Sequence, residues 1–274
     1  MRLFVLDLGR MRMDKSLLVQ NWQLASVDDP SPRQAFVEFP VSAYCLDHAE
    51  GRLLFDAGCH PEAMGSDGRW PQAFQKCFPW HGDEDCHLPN RLRQLGWSPD
   101  DFDVVVLSHL HNDHCGCAEF FRRSTLVVHQ DEFAAAMRAF AMHDDSGGFI
   151  RKDIAQWLSQ KLHWRFVADW EGDIDLFDGV RLLNWGAGHS HGMLGLHVRL
   201  PNHGGVILTS DAIYCQQNYG PPVRPQGVIV DSAGWQRTLQ RVRNLAAASG
   251  SEVWFGHDMQ QFKGLRLSTE GCYE

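Results

Sequence analysis

The sequence has no excess of basic residues: 25 Lys and Arg face 34 Asp and Glu, a formal charge of −9. That balance argues against a protein that holds nucleic acid, which needs a basic face. No apolar run approaches the roughly 18 residues of a membrane-spanning helix. The opening MRLFVLDLGRMRMDK is only briefly apolar and has no small-residue cleavage site, so no export signal is expected. Cysteine is too sparse for a disulfide scaffold, with eight in 274 residues, and free thiols in a reducing cytoplasm are the expectation. Repeats, low-complexity tracts and Ser/Gly linkers are also missing. At 44% hydrophobic and 22% charged residues the chain has the make-up of a globular protein with a sizeable core. Nothing divides it, so a single domain over 1–274 is expected. What is abundant is histidine, with fifteen residues, several of them packed into short motifs.

Short apolar runs predict strands at 3–8, 42–47, 52–56, 103–108 and 124–129, and later at 179–184, 195–200, 205–210 and 252–256. Asp178-Gly179 reads as one hairpin turn and Pro201 to Gly205 as another. Phe133, Met137 and Phe140 recur at helical spacing. So do Trp235, Leu239, Val242 and Leu245, after a cap at Asp231 or Ser232 and before Gly250. Hairpins mixed with strand–helix alternation predict one α/β domain with central sheets and outer helices. The segments 57–100 and 140–175, richer in Trp, Pro and Gly, read as insertions that shape a pocket.

The strongest motif is Ser108-His109-Leu110-His111-Asn112-Asp113-His114-Cys115-Gly116. It follows the buried-looking run DVVVL and precedes AEFF, which reads as a helix, so it sits at the carboxyl end of a strand where α/β proteins place their sites. Imidazole and carboxylate together suit zinc, manganese, iron or cobalt. An irregular loop can turn His109 and His111 to one ion and Asp113 and His114 to a second, at the ~3.5–4 Å spacing of two-metal sites. Further ligands come from Gly188-His189-Ser190, Ser210-Asp211-Ala212 and Gly256-His257-Asp258, each at or just past the end of an apolar segment. One ion then takes His109, His111 and His189, and the other takes Asp113, His114 and His257, with Asp211 bridging them. Cys115 and Cys117 read as small buried side chains rather than ligands. His129, His143, His163, His197 and His203 have no partner pattern and read as ordinary histidines. Asp56 reads as an acceptor that orients a ligand histidine.

These residues resemble the metallo-β-lactamase superfamily: H-x-H-x-D-H at 109–114, the downstream His, Asp and His in order, and Phe55-Asp56-Ala57-Gly58. The resemblance implies an αβ/βα sandwich, two mixed β-sheets face to face with helices outside. It favours His189 over His191 as the ligand. His114 stands where zinc β-lactamases have Arg, Asp211 where they often have Cys, and His111 where flavodiiron proteins have Glu, so both of those readings are disfavoured. Asp211-Ala212-Ile213-Tyr214 matches the Asp-x-x-Tyr of N-acyl-homoserine lactonases. LFVLDLG, FPVSAY, DAGCHPE, GMLGL, NYGPP, FGHD and STEGCYE extend that likeness over nearly the whole chain. Cys117 departs from it, standing where the superfamily often has a second Gly.

The implied activity is quorum quenching, the opening of the lactone ring by a hydroxide held between two divalent cations, zinc first, with Mn, Fe or Co as alternatives. Asp113 and Tyr214 are the implied catalytic side chains. Asp113 carries a proton to the leaving oxygen, and Tyr214 stabilises the charged intermediate. The partner is a small lactone, with no nucleic acid and no membrane, in a monomer or a homodimer. The stretches Trp70–Trp80 and 213–223 are expected to wall an acyl channel. Alternatives are hydrolysis of another lactone (pyridoxolactone or γ-butyrolactone type), hydrolysis of a glutathione thioester in the manner of glyoxalase II, and a metal or ligand binder without turnover.

Overall fold

The computed structural model describes residues 1–144 and 147–274. Its first sheet joins β1 (Arg2–Asp14), β2 (Phe36–His48), β3 (Gly51–Phe55), β4 (Trp80–His81), β5 (Val104–Val106), β6 (Thr125–His129) and β7 (His163–Val167) in the order β4-β1-β2-β3-β5-β6-β7. Strands β1 to β3 run antiparallel, and β3, β5, β6 and β7 run parallel. The second sheet joins β8 (Ile174–Phe177), β9 (Val180–Gly186), β10 (Met193–Leu200), β11 (Gly204–Ser210) and β12 (Glu252–Phe255), in the order β12-β11-β10-β9-β8. Only the β11–β12 pair in it is parallel.

The two sheets pack because their strands are apolar on both faces. Leu3 and Val5 of β1, Tyr44 and Leu46 of β2, and Leu53 and Phe55 of β3 meet Leu194, Leu196, Val206, Leu208 and Trp254 of the second sheet. The residues between them, such as Phe4, Leu6, Ala43, Cys45 and Leu54, face the opposite way, onto a layer holding Leu92, Ala136, Ile154 and Trp157. This is the period-2 alternation of a pleated strand. Beyond the second sheet, the helix Ser232–Ser249 buries Trp235, Leu239 and Val242 against Leu183, Trp185, Ile207 and Phe255. Asp231 caps it by accepting from the Ala233 N–H, and Gly250 ends it at φ +66°. Two mixed sheets between helical layers are the architecture expected from the resemblance.

Departures from the sequence reading are local. The expected AEFF helix is a single 3-10 turn, Ala118–Phe120, because helical structure begins earlier, at Asn112–Cys115 inside the histidine motif. Gly116 then lies against the backbone of residues 58–60, where an added Cβ would stand 2.3 Å from the His60 nitrogen. The chain has to turn there, and Cys117 is accommodated in the turn with its thiol on the Cys59 carbonyl at 3.3 Å.

The segment 57–70 is held down by a buried ion cluster. Arg69 donates to both Glu119 oxygens (2.9 and 3.0 Å) and to Asp153 (3.0 Å) on the helix Arg151–Gln160. Burial would raise the Glu119 pKa, but His60 and Arg69 pull it down to about 2. Arg69→Met strands two buried carboxylates and is expected to cost about 3 kcal/mol. Urea unfolding of the variant measures it, and a loss under 1 kcal/mol would show that the cluster is not holding this segment.

Candidate metal centre

The loops that follow β5, β9, β11 and β12 bring seven side chains together. Ligand atoms of His109, His111, His189 and Asp211 lie within 4.8 Å of one another, as do those of Asp113, His114 and His257. Asp211 stands between the two groups, one oxygen to each. Its Oδ2 is 3.6 Å from His109 Nε2 and 3.3 Å from His189 Nε2. Its Oδ1 is 3.2 Å from His114 Nε2 and 3.0 Å from His257 Nε2. Asp113 Oδ2 completes the second group, 3.6 Å from His114 Nε2 and 3.5 Å from His257 Nε2.

The rings are held facing inward from behind. Nδ1 of His109 meets the Ser108 hydroxyl (3.0 Å), and Nδ1 of His114 meets Asp56 (2.8 Å). Nδ1 of His189 meets the Val228 carbonyl (3.0 Å), and Nδ1 of His257 meets the Pro40 carbonyl (3.1 Å). An Nδ1–H spent on an oxygen leaves the Nε2 lone pair pointing into the site. Asp56 is the hub of this outer layer. It also accepts from the Ser108 N–H (2.7 Å), the Ser108 hydroxyl (2.9 Å) and the Ser210 hydroxyl (3.1 Å). Its backbone sits at φ +64°, and that of Ser210 at φ +47°. Left-handed backbone at two non-glycine residues is unfavourable, and at this hub it aims both side chains at the ligands.

The electrostatics suit cations. Burial drives the pKa of His109 and His111 well below the usual imidazole value and lowers that of His189. Burial also opposes charge on His114 and His257, but the Asp211 and Asp113 carboxylates outweigh it and raise both. Asp211 is held well below the carboxylate range: burial works against its ionisation, and His114 and His257 overcome it. Nε2 of His109 and Nε2 of His114 are buried without a hydrogen-bond partner. Two such orphaned ring nitrogens, beside a buried carboxylate, are what a pair of divalent cations would satisfy, displacing any proton held there. The donor set fits a dinuclear metal centre.

Other candidates fall away from the site. The Cys115 thiol donates to the Leu110 and His111 carbonyls (3.2 and 3.1 Å), and the Cys117 thiol points to residue 59. His191 is exposed and joins neither group. His129, Asp131 and Asp169 also lie close enough to share an ion. His129, however, spends Nδ1 on the Asp131 N–H (3.2 Å) and Nε2 on Asp169 (3.0 Å), as the cap of the helix Gln130–Met142.

A cavity of about 390 Å³ opens onto five of the seven, His111, Asp113, His189, Asp211 and His257. Tyr214 stands at its base, 4% exposed, its ring 5.1 Å from those of both His189 and His257. Burial raises the pKa of its hydroxyl well above the usual value, so it stays a proton-bearing donor. The rest of its wall is largely apolar, with Met11, Met13, Phe39, Phe74, Phe78 and Phe149 among the lining residues. The stretch 70–80 thus contributes phenylalanines rather than tryptophans, and 213–223 contributes only Tyr214.

Sequence reasoning missed Glu132, which is fully buried and accepts from Leu110 N–H (3.0 Å), the Ser190 hydroxyl (2.7 Å) and Gly192 N–H (3.2 Å). It also missed Ser108 and Ser210 as partners of Asp56. Ser108 and Ser210 each lead a motif that marks a ligand, whereas Glu132 lies in no such motif.

The sequence pattern of the metallo-beta-lactamase superfamily matches residues 37–257. The chain belongs to that superfamily. Within it, the sequence is 48% identical to the N-acyl homoserine lactonase AiiB of Agrobacterium fabrum over 273 residues, covering 100% of this chain and 99% of the relative. It is 28% identical to the N-acyl homoserine lactonase AiiA of Bacillus thuringiensis subsp. kurstaki, covering 98% of each. The fold matches a protein solved as an N-acyl homoserine lactone hydrolase with the product N-hexanoyl-L-homoserine bound at the catalytic metal centre. The TM-score is 0.81 at 26% identity, over 100% of this chain and 98% of that one.

Proposed function

We propose that this chain hydrolyses the lactone ring of N-acyl homoserine lactones, in the cytoplasm, with zinc as the resident metal. The observation that carries the reading is Asp211, one oxygen turned to each histidine group, beneath an apolar cavity. His109, His111 and His189 would hold one cation and Asp113, His114 and His257 the other, with Asp211 shared. The nitrogen-rich set suits zinc. All eight cysteines are free thiols, which favours a reducing compartment. Among the described residues no helix is long and apolar enough to cross a membrane.

Bound there, two cations supply Lewis acidity and a water acidified towards neutral pH. The chain's own groups do the rest. The Tyr214 hydroxyl donates to the carbonyl oxygen as it gains charge, an interaction stronger in the transition state than in the ground state. Water oxygen bonds to the carbonyl carbon, the ring C–O bond breaks, and the Asp113 carboxylate carries the water's proton to the departing ring oxygen. The product is the open hydroxy acid. The apolar wall excludes water from the acyl arm and binds it by burial. No Lys or Arg lines the cavity among the described residues, which disfavours a glutathione thioester with its two carboxylates.

The direct test is a panel of kcat/KM values with N-hexanoyl homoserine lactone, γ-butyrolactone, pyridoxolactone and a glutathione thioester. The homoserine lactone should lead, and chelation should abolish its turnover. Leadership by any other substrate would replace this reading. Tyr214→Phe should lower kcat about 100-fold with metal content unchanged. Loss of metal from that variant would make the tyrosine a structural residue instead.

A further inference from the structure

The acyl arm of the proposed substrate is more than hydrocarbon, because an amide joins it to the lactone ring. One residue of the cavity wall has the chemistry to meet that amide. Asn112 lies between His111 and Asp113 and is 3% exposed. Its backbone N–H donates to the Gly148 carbonyl at 2.9 Å, which fixes it at the start of the helix Asn112–Cys115. Its side chain is left short of partners. The amino group meets only the Met11 sulfur, at 4.0 Å, and the carbonyl oxygen has no hydrogen-bond partner among the described residues.

A thioether is a weak acceptor, and a side-chain amide offers two donors and two acceptor lone pairs. Asn112 lines the cavity, so hydrocarbon filling that space would take its amide from water without a partner, a cost that a leucine of similar shape would not bear. Met11, Met13, Phe39 and Phe149 line the same cavity, and beyond the Met11 sulfur none of them gives Asn112 a hydrogen bond. An apolar arm filling this cavity would leave Asn112 unpaired and cut off from water. An arm carrying an amide at this depth would satisfy it, giving a carbonyl to the amino group and an N–H to the carbonyl.

We infer that Asn112 is a specificity-determining residue, which recognises the amide of an N-acyl lactone and selects it over alkyl lactones of the same size. A site built to hydrogen-bond a substrate group rejects the analogue that lacks it, because its own polar atoms then go unpaired. This inference rests on the lactonase reading above and deepens it.

The test compares kcat/KM for N-hexanoyl homoserine lactone and for γ-decalactone, whose alkyl arm has no amide. The zinc-loaded wild type is measured beside Asn112→Leu, which keeps the shape, and Asn112→Ala, which cannot overpack the wall. The ratio of acyl to alkyl kcat/KM is expected to fall about tenfold in both variants, the loss of one net hydrogen bond. Bound metal should stay at the wild-type level. A ratio unchanged within about twofold in both overturns the inference. So does loss of metal from both, which would make Asn112 a support for its neighbours. If the wild type leaves the homoserine lactone untouched, the lactonase reading itself has failed, a result visible before any variant is made.

Discussion

Asp211→Asn is expected to carry fewer than two metal ions per chain and to hydrolyse lactone on the order of a thousandfold more slowly. The size follows from position. Asp211 is 2% exposed and reaches four of the five inward-facing histidines, at 3.0 to 3.6 Å. Among the described residues no other carboxylate reaches both groups, since Asp113 reaches only His114 and His257. The amide is nearly isosteric with the carboxylate, so packing is preserved. What is removed is the negative charge that offsets two cations, together with one ligand oxygen, which becomes an NH₂ that cannot ligate. Elemental analysis of the purified variant, beside kcat for N-hexanoyl homoserine lactone, reads both effects. Two ions retained with wild-type turnover would remove Asp211 from the centre of the site. Retained metal with lost turnover would confine its role to the chemistry. The expected effect exceeds that of Tyr214→Phe because the tyrosine donates one hydrogen bond, whereas Asp211 decides whether the site assembles at all.

Why so much of this centre can be read from the linear chain is a matter of distance along it. His109, His111, Asp113 and His114 fall within six residues, directly after a run of three valines that has to be a buried strand. Such a cluster is recognisable without knowing its partners. His189, Asp211 and His257 stand just beyond strand ends, so they were placeable once the first four were known. The outer layer is different. Asp56 reaches Ser108 across 52 positions and Ser210 across 154. Glu132 reaches Leu110 across 22 positions and Ser190 across 58. Nothing in the local pattern around Glu132 separates it from Asp131, its exposed neighbour in the same first helical turn. The strands show the same division. β1 runs to Asp14 and β2 begins at Phe36, well outside their apolar centres, because Arg10, Arg12 and Glu38 break the apolar run with side chains less buried than Met11, Met13 and Phe39 beside them. β7, the edge strand His163–Val167, buries only its last residue and so carries no apolar run to announce it.

Glu132 is where that hidden layer makes its strongest prediction. Its carboxylate lies at the junction of the two loops that carry ligands. One oxygen takes the Leu110 N–H, between His109 and His111, and the other takes the Ser190 hydroxyl and the Gly192 N–H, just past His189. Burial pushes its pKa up to about 7, although those donors favour the ionised form. Glu132→Ala leaves two backbone N–H groups and a hydroxyl buried without an acceptor. At about 1–3 kcal/mol for each unsatisfied group, the fold should lose about 4 kcal/mol in total. For a chain of this size that lowers Tm by about 10 °C. The ligand loops should loosen together, and the metal should be surrendered to a chelator at about 10- to 100-fold lower concentration. Glu132→Gln separates support from mere bulk. Its oxygen can still accept from Leu110, while its NH₂ confronts the donors at Ser190 and Gly192. Its metal retention should therefore fall between those of the wild type and the alanine variant. With cobalt in the site, the visible spectrum reports ligand geometry directly, and it should change in both variants at temperatures well below unfolding. An alanine variant that loses stability but keeps an unaltered cobalt spectrum and wild-type metal retention would reduce Glu132 to a packing residue. The ligand loops would then have to be held by their own strands alone.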